Sequence, residues 1–187
     1  MSSRFDILDT ALASLRVLQR NPIGDNRGFL ERLFCIDELQ TLAPHKHIAQ
    51  INQTLTALVG TVRGMHFQCP PHAEIKFVSC LRGEVFDVAV DLRHNSPTFL
   101  HWHAEVLSER NRKTLVIPEG FAHGFQTLTD NCEMLYFHTH PFHPEAEGGL
   151  NPQDPSLAIT WPLAIAAVSD RDAAHPMLNE SFSGMVL

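Results

Sequence analysis

The segment Glu84-Val-Phe-Asp-Val-Ala-Val-Asp91 constrains the fold more than any other. Phe86, Val88 and Val90 alternate with Val85, Asp87, Ala89 and Asp91, the two-residue period of a β-strand with distinct faces. Arg82-Gly83 before it and His94-Asn-Ser-Pro97 after it carry turn chemistry. Strand-like runs follow at residues 99–107, 113–117, 122–128 and 132–138, separated by the turn signals Glu109-Arg-Asn111, Pro118-Glu-Gly120 and Thr129-Asp-Asn131. Short strands at this spacing predict a mainly-β sandwich or barrel rather than alternating βα units. Helical signals are few. Residues 37–42 predict one short helix with Asp37 as its cap, and residues 170–175 a helical turn before Pro176. Residues 5–18 fit a helix, or a short helix followed by a strand.

The 187 residues contain no internal repeat, low-complexity tract or linker, so residues 1–187 read as one domain. With 44% apolar and 19% charged residues, the chain has an ordinary globular balance. A net charge of −7 argues against binding nucleic acid over a broad face, yet leaves room for one anionic ligand on a local basic cluster. No apolar run approaches the roughly 18 residues of a membrane span. The start, Met-Ser-Ser-Arg-Phe-Asp, has no basic patch followed by an apolar stretch, so the expected location is the cytoplasm. Cys35, Cys69, Cys80 and Cys132 form no Cys-x-x-Cys pair and read as free thiols.

Four segments combine reactive side chains with glycine or proline: Asp25-Asn-Arg-Gly-Phe29, Arg63-Gly-Met-His-Phe-Gln68, Pro118-Glu-Gly-Phe-Ala-His-Gly124 and Ser169-Asp-Arg-Asp172. Tyr136, the only tyrosine, sits in the apolar run Met134-Leu-Tyr-Phe137. Taken singly, each has a plain structural explanation in packing or a loop ion pair. Lys76 is less easily explained. In Glu74-Ile-Lys-Phe-Val-Ser79 it shares a strand face with Val78, and a lysine on the inner face of a barrel requires a compensating partner. His101-Trp-His103 reads as a solvated strand face, whereas His138 shares the parity of Tyr136. A metal-dependent reading would use His123, His138 or His140, but neither His-x-His pair is followed by a glutamate at the spacing of metal-binding barrels.

In order, these segments resemble the dTDP-4-dehydrorhamnose 3,5-epimerase family, metal-free members of the cupin superfamily. The likeness runs from about Asn21 to Leu178. Asp25-Asn-Arg-Gly-Phe29 with Glu31 resembles the family's Asp-x-Arg-Gly segment, and Gln50-Ile-Asn52 its Gln-x-Asn strand. Arg63-Gly-Met-His-Phe-Gln68 is similar to Arg-Gly-Leu-His-Tyr-Gln, and the Arg82–Asp91 and Pro118–Phe125 segments match with little change. Pro155-Ser-Leu-Ala-Ile-Thr-Trp-Pro162 and the turn at Ser169–Asp172 complete the set.

The resemblance implies a cupin-type jelly-roll barrel with a few short helices, a homodimer that exchanges strands, and a dTDP-4-keto-6-deoxysugar substrate. It assigns His66 as base, Asp172 as the carboxylate that orients it, Lys76 as the cation at the enolate oxygen, and Tyr136 as the acid on the opposite face. Arg27, Arg63 and Arg171 would clamp the pyrophosphate, with Arg171 standing where the family usually has lysine. Gln50, Asn52, Glu31, His123, Phe142 and Glu147 fall at positions used for sugar and nucleotide contacts. No metal or organic cofactor is implied, because the ketone of the substrate supplies the electron sink. The departures are Phe142 for a second tyrosine, Gln53 for a histidine, and Met65 and Phe67 for leucine and tyrosine. They leave open a single-site 3- or 5-epimerase.

Overall fold

The computed structural model describes residues 3–187. Its strands are β1 (Phe5–Asp9), β2 (Arg16–Arg20), β3 (Ile23–Asp25), β4 (Gly28–Leu30), β5 (Gln50–Thr56), β6 (Val62–Gln68) and β7 (Lys76–Arg82). They continue with β8 (Glu84–Asp91), β9 (Trp102–Ser108), β10 (Lys113–Ile117), β11 (Phe121–Thr127), β12 (Cys132–His138) and β13 (Glu147–Gly149). Two one-turn helices, α1 (Ile36–Leu39) and α2 (Asp170–Ala173), complete the regular structure. A six-stranded sheet in the order β1-β2-β10-β7-β12-β5 faces a five-stranded sheet in the order β13-β6-β11-β8-β9. This is the mainly-β jelly-roll architecture expected from the sequence. The hairpin β3–β4 stands apart as its own two-stranded ribbon.

The strand alternation decides what lies between the sheets. Val17, Val78, Cys80, Leu115, Ile117, Cys132 and Met134 point inward from the larger sheet to meet Val85, Ala89, Phe121 and Phe125 from the smaller one. Both faces of β8 are buried for a reason visible here. Val88 and Val90 pack outward beneath Leu150, Leu157 and other residues of the C-terminal segment. Phe77, Val116 and Phe137 on the outer face of the larger sheet are covered in the same way by Leu39 and Ala43. The central strands of each sheet are thus buried on both sides, which strands rich in valine and phenylalanine require.

Three local expectations are corrected. Residues 5–18 hold no helix: β1 and β2 pair antiparallel, and β2 continues onto β10, so this segment extends the sheet edge. Sheet pairing satisfies the backbone there and overrides weak helical preference. The α1 helix begins one residue before Asp37, with Cys35 at its N-cap and no side-chain cap. The strand expected from residue 99 starts at Trp102, because Ser96 and Thr98 donate hydroxyl bonds to Asp91 at 2.6 Å each and Leu100 takes a positive φ of 62°. By contrast, β8, β10 and β12 coincide with the alternation read from the sequence.

Candidate active site

Between the sheets, at the end that carries His66, lies a cavity of about 260 Å³. Strand parity explains its walls. On β12, Tyr136 and His138 continue the inward row of Cys132 and Met134. On β7, Lys76 continues the row of Val78 and Cys80, and register places it opposite His138. On β5, Gln50, Asn52 and Thr54 face the cavity, while Ile51 and Leu55 are exposed on the other side. The five-stranded sheet contributes Arg63, His66 and Gln68 from β6 and His123 from β11, with His123 directly opposite His66 in register. Arg171, Glu147 and Phe142 close the rim.

His66 and Asp172 form the best-defined pair. Imidazole Nε2 lies 2.7 Å from Asp172 Oδ1, and the second carboxylate oxygen accepts the Gly64 N–H at 3.2 Å. Asp172 is itself placed by α2, where its N–H donates to the Ser169 hydroxyl at the N-cap. Burial works against its charge, but the hydrogen bond and charge of His66, with the Gly64 and Ser169 contacts, hold its pKa down to about 2. Because the carboxylate only accepts, Nε2 carries the ring proton and Nδ1 is left as the basic nitrogen. Arg171 Nη2 approaches the same Nε2 at 3.0 Å, but its usable acceptor is Glu147, at 3.2 Å from Nη1.

Backbone contact holds the strand of His66 in place. Gly64 has φ of 123°, and a Cβ there would overlap Gly124 Cα and the His123 carbonyl. Strands β6 and β11 therefore touch backbone to backbone beside both histidines, at the point where their register shifts. Only glycine permits that approach.

The opposite wall is a buried charge network. Lys76, 8% exposed, lies 3.2 Å from Glu74, and its Nζ donates to the His66 carbonyl at 3.4 Å. Glu74 also meets His138 Nδ1 at 2.8 Å. Burial disfavours the Glu74 charge, but the His138 hydrogen bond and the Lys76 charge outweigh it and lower its pKa. Tyr136 lies between His123 and His138, with ring centroids at 6.2 and 6.1 Å. Burial, reinforced by the nearby Asp87 charge, pushes its hydroxyl pKa up, so it stays protonated at neutral pH. His123 Nε2 is 2.8 Å from the fully buried Asp87, whose own pKa is raised by burial despite that contact.

Of the thirteen residues expected at the site, ten line this cavity and Asp172 stands behind His66. Arg27 and Glu31 do not reach it. Arg27 is exposed at the tip of β3–β4 and pairs with Asp25 at 2.6 Å. Glu31 instead faces the buried Arg20 at 3.5 Å and Arg112 at 3.7 Å, serving as their counter-charge. Glu74, Gln68, Thr54 and His138 were not singled out as site residues. Parity with Lys76 carried a signal for Glu74, and parity with Val85 and Ala89 one for Asp87. Among the departures, Phe142 lines the cavity, whereas Gln53 faces outward and bonds Glu133 at 3.0 Å. His123, His138 and His140 do not converge as metal ligands. The first two are held by carboxylates, and His140 lies 3.4 Å from His72.

The family model for dTDP-4-dehydrorhamnose 3,5-epimerase matches residues 9–180. The chain belongs to that family. A curated dTDP-4-dehydrorhamnose 3,5-epimerase from Sinorhizobium fredii is 38% identical over 171 residues, covering 91% of this chain and 88% of the relative. A Streptomyces niveus family member described as dTDP-4-dehydrorhamnose 3-epimerase is 35% identical over 159 residues, 84% of this chain and 76% of its own length. The crystal structure of a Legionella pneumophila dTDP-6-deoxy-D-glucose-3,5-epimerase in complex with dTDP-4-keto-L-rhamnose superposes with a TM-score of 0.88 at 38% identity, covering 92% of each chain. In this epimerase family member, the base, lysine and tyrosine motifs read from the sequence open on one cavity.

Proposed function

We propose that this chain inverts C3 and C5 of a dTDP-4-keto-6-deoxyhexose, an isomerase reaction of deoxysugar biosynthesis. The observation that carries the reading is the division of labour between the sheets. The His66–Asp172 pair enters the cavity from β6 and α2, while Lys76 and Tyr136 enter from β7 and β12 of the facing sheet. Inversion at a carbon needs this separation, because the proton must leave one face and return to the other.

The 4-ketone acidifies the hydrogens on C3 and C5. His66 Nδ1 removes one, and Asp172 stabilises the imidazolium that forms. Negative charge moves onto the ketone oxygen, where Lys76, itself buried and fixed by Glu74, stabilises the enolate. Tyr136 then gives its proton to the carbon from the opposite face. The resulting tyrosinate and imidazolium exchange their protons with solvent, restoring the resting state. Arg63 and Arg171, both exposed at the cavity rim, hold the pyrophosphate by paired guanidinium bonds.

The working unit is a homodimer that exchanges strands. The exposed apolar residues Phe29 and Leu30 on the projecting hairpin and Ile51 and Leu55 on edge strand β5 support it. In that assembly the exposed Arg27 would serve the partner's cavity, which accounts for its distance from its own. Residues 1–187 then act as one domain. Its four free cysteines fit the reducing cytoplasm.

Proton NMR in deuterated water with dTDP-4-keto-6-deoxyglucose tests the reading. Deuterium is expected at both C3 and C5, with inversion at each. Incorporation at neither position would refute it. Phe142, which places a ring without a hydroxyl at the cavity, favours a second reading, inversion at one carbon only. Deuterium confined to C3 or to C5 would establish that reading instead.

A further inference from the structure

His175 takes no part in the chemistry above, yet its imidazole reaches the catalytic pair. Its Nε2 is buried and has no hydrogen-bond partner. The ring stands edge-on to His66, with centroids 6.2 Å apart and planes at 69°. Its position is fixed from two sides. Asn151 Nδ2 donates to its backbone carbonyl at 3.3 Å, and the ring lies on Gly149, where any Cβ would overlap it. Gly149 is the residue that pairs with His66 between β13 and β6, so His175 sits over the base strand itself.

One ligand atom each from His66, Asp172 and His175 lie within 4.8 Å of one another. Two imidazoles and a carboxylate suit first-row divalent ions, and Zn²⁺ in particular, which accepts nitrogen and oxygen donors at about 2.0–2.2 Å. Tetrahedral ligation needs those donors roughly 3.3 Å apart, so the 2.7 Å contact between His66 and Asp172 would widen to admit the ion, with His175 within 4.8 Å of both. An unpartnered buried nitrogen is a costly group to keep, and a bound ion would satisfy it.

We propose that His66, Asp172 and His175 form a binding site for a divalent transition ion of the Zn²⁺ type, and that the ion inhibits the enzyme by occupying its base. An ion on the Asp172 side takes the Nε2 lone pair of His66. The ring proton then resides on Nδ1, and no basic nitrogen faces the substrate. Among the described residues, the cation facing the site is Arg171, with Nη2 3.0 Å from His66 Nε2 and Nε 3.6 Å from Asp172 Oδ1. Its side chain is 57% exposed and already pairs with Glu147, so it withdraws to that partner when the ion enters.

The binding half stands on geometry alone; the inhibition half rests on the proposed epimerase reaction. Co²⁺ titration of chelator-treated protein reads the first. A one-to-one visible absorption band of nitrogen-and-oxygen-ligated cobalt is expected, displaced by Zn²⁺. His175→Ala and the size-preserving His175→Gln should both lose the band. Deuterium exchange on the sugar nucleotide reads the second. Zn²⁺ should suppress it in the wild type and EDTA restore it. In both variants the Zn²⁺ concentration for half-inhibition should rise about tenfold or more, with metal-free exchange within about twofold of wild type. An absent cobalt band, or variants that bind and respond like the wild type, would overturn the site. A cobalt band in a protein that exchanges no protons would leave the site standing and remove the epimerase reading. Exchange that requires the ion would overturn inhibition.

Discussion

The two walls of the cavity are built by opposite strategies. The wall of the proposed base, the base wall, is assembled at long range: His66 lies on β6, while the carboxylate bonded to it arrives from α2, 106 residues later. The acid wall is set by direct strand pairing. Lys76, Tyr136 and His138 lie on adjacent strands in one stretch of β7–β12 register, and Glu74, just ahead of β7, joins them through His138. The base wall is correspondingly more open, with the His66 side chain 27% exposed against 10% for Lys76. A base must meet solvent to lose its proton each turnover, whereas a fixed cation is most effective when water is kept away.

Removing the base should have the largest effect. His66→Ala is expected to lower deuterium exchange at both carbons by about 100- to 10,000-fold, with the circular dichroism of a folded barrel retained. Unchanged exchange in this variant would remove the base wall from the mechanism. Lys76→Ala is expected to cost about 100- to 1,000-fold, as for loss of an oxyanion partner. It also strips Glu74 of its buried counter-charge, so the melting temperature should fall further than in His66→Ala, whose partner contact is more exposed. Equal melting temperatures for the two variants would contradict the contrast between a buried and an open wall.

Tyr136→Phe separates the walls more finely. Wash-out of the original proton should persist while inversion falls by about 100-fold, since deprotonation does not use the phenol. Parallel loss of both would count against Tyr136 as the acid.

A fourth expectation concerns acid. The Asp172 carboxyl has a folded-state pKa of about 2 against an ordinary 3.8. Its stabilising contribution is therefore complete above about pH 4 and is lost as pH falls through the folded value. Asp91, held by Arg93, Ser96 and Thr98 against the opposing effect of burial, also sits at about 2 and behaves alike. Acid unfolding of the wild type should thus fall mainly between about pH 4 and pH 2, with Asp172→Asn showing a shallower loss across that window. Identical acid-unfolding curves would show that the His66 contact adds no stability. The smallest effect is expected for Arg27→Ala, which should raise KM about tenfold with kcat little changed, provided the hairpin serves a partner's pyrophosphate.

The acid wall was far more legible in the sequence than the base wall. Alternation alone placed Lys76 with Val78, and Tyr136 with His138, because side-chain direction in a strand is fixed by parity. The bounds of β8, β10 and β12 follow from the same rule. Nothing in local sequence links His66 to Asp172, since the contact is set by how the C-terminal segment packs on the five-stranded sheet; only resemblance to the family suggested it. Residues 5–18 misled because a sheet edge recruited them, a decision made by β10 rather than by the segment itself. Glu31 stands outside its own chain's cavity for a related reason: Arg20 is 2% exposed and lies 3.5 Å from it.

The 106-residue separation within the His66–Asp172 pair also sets an order in time. A ribosome emits the acid wall complete by residue 138, and β7, β12 and β5 can pair as soon as they emerge. The base stays unoriented until Asp172 follows and α2 docks against Gly64. A chain ending at Arg171, and so lacking Asp172, would therefore present a substrate cavity with its lysine and tyrosine in place and no aligned base. Such a product would hold the sugar nucleotide without turning it over.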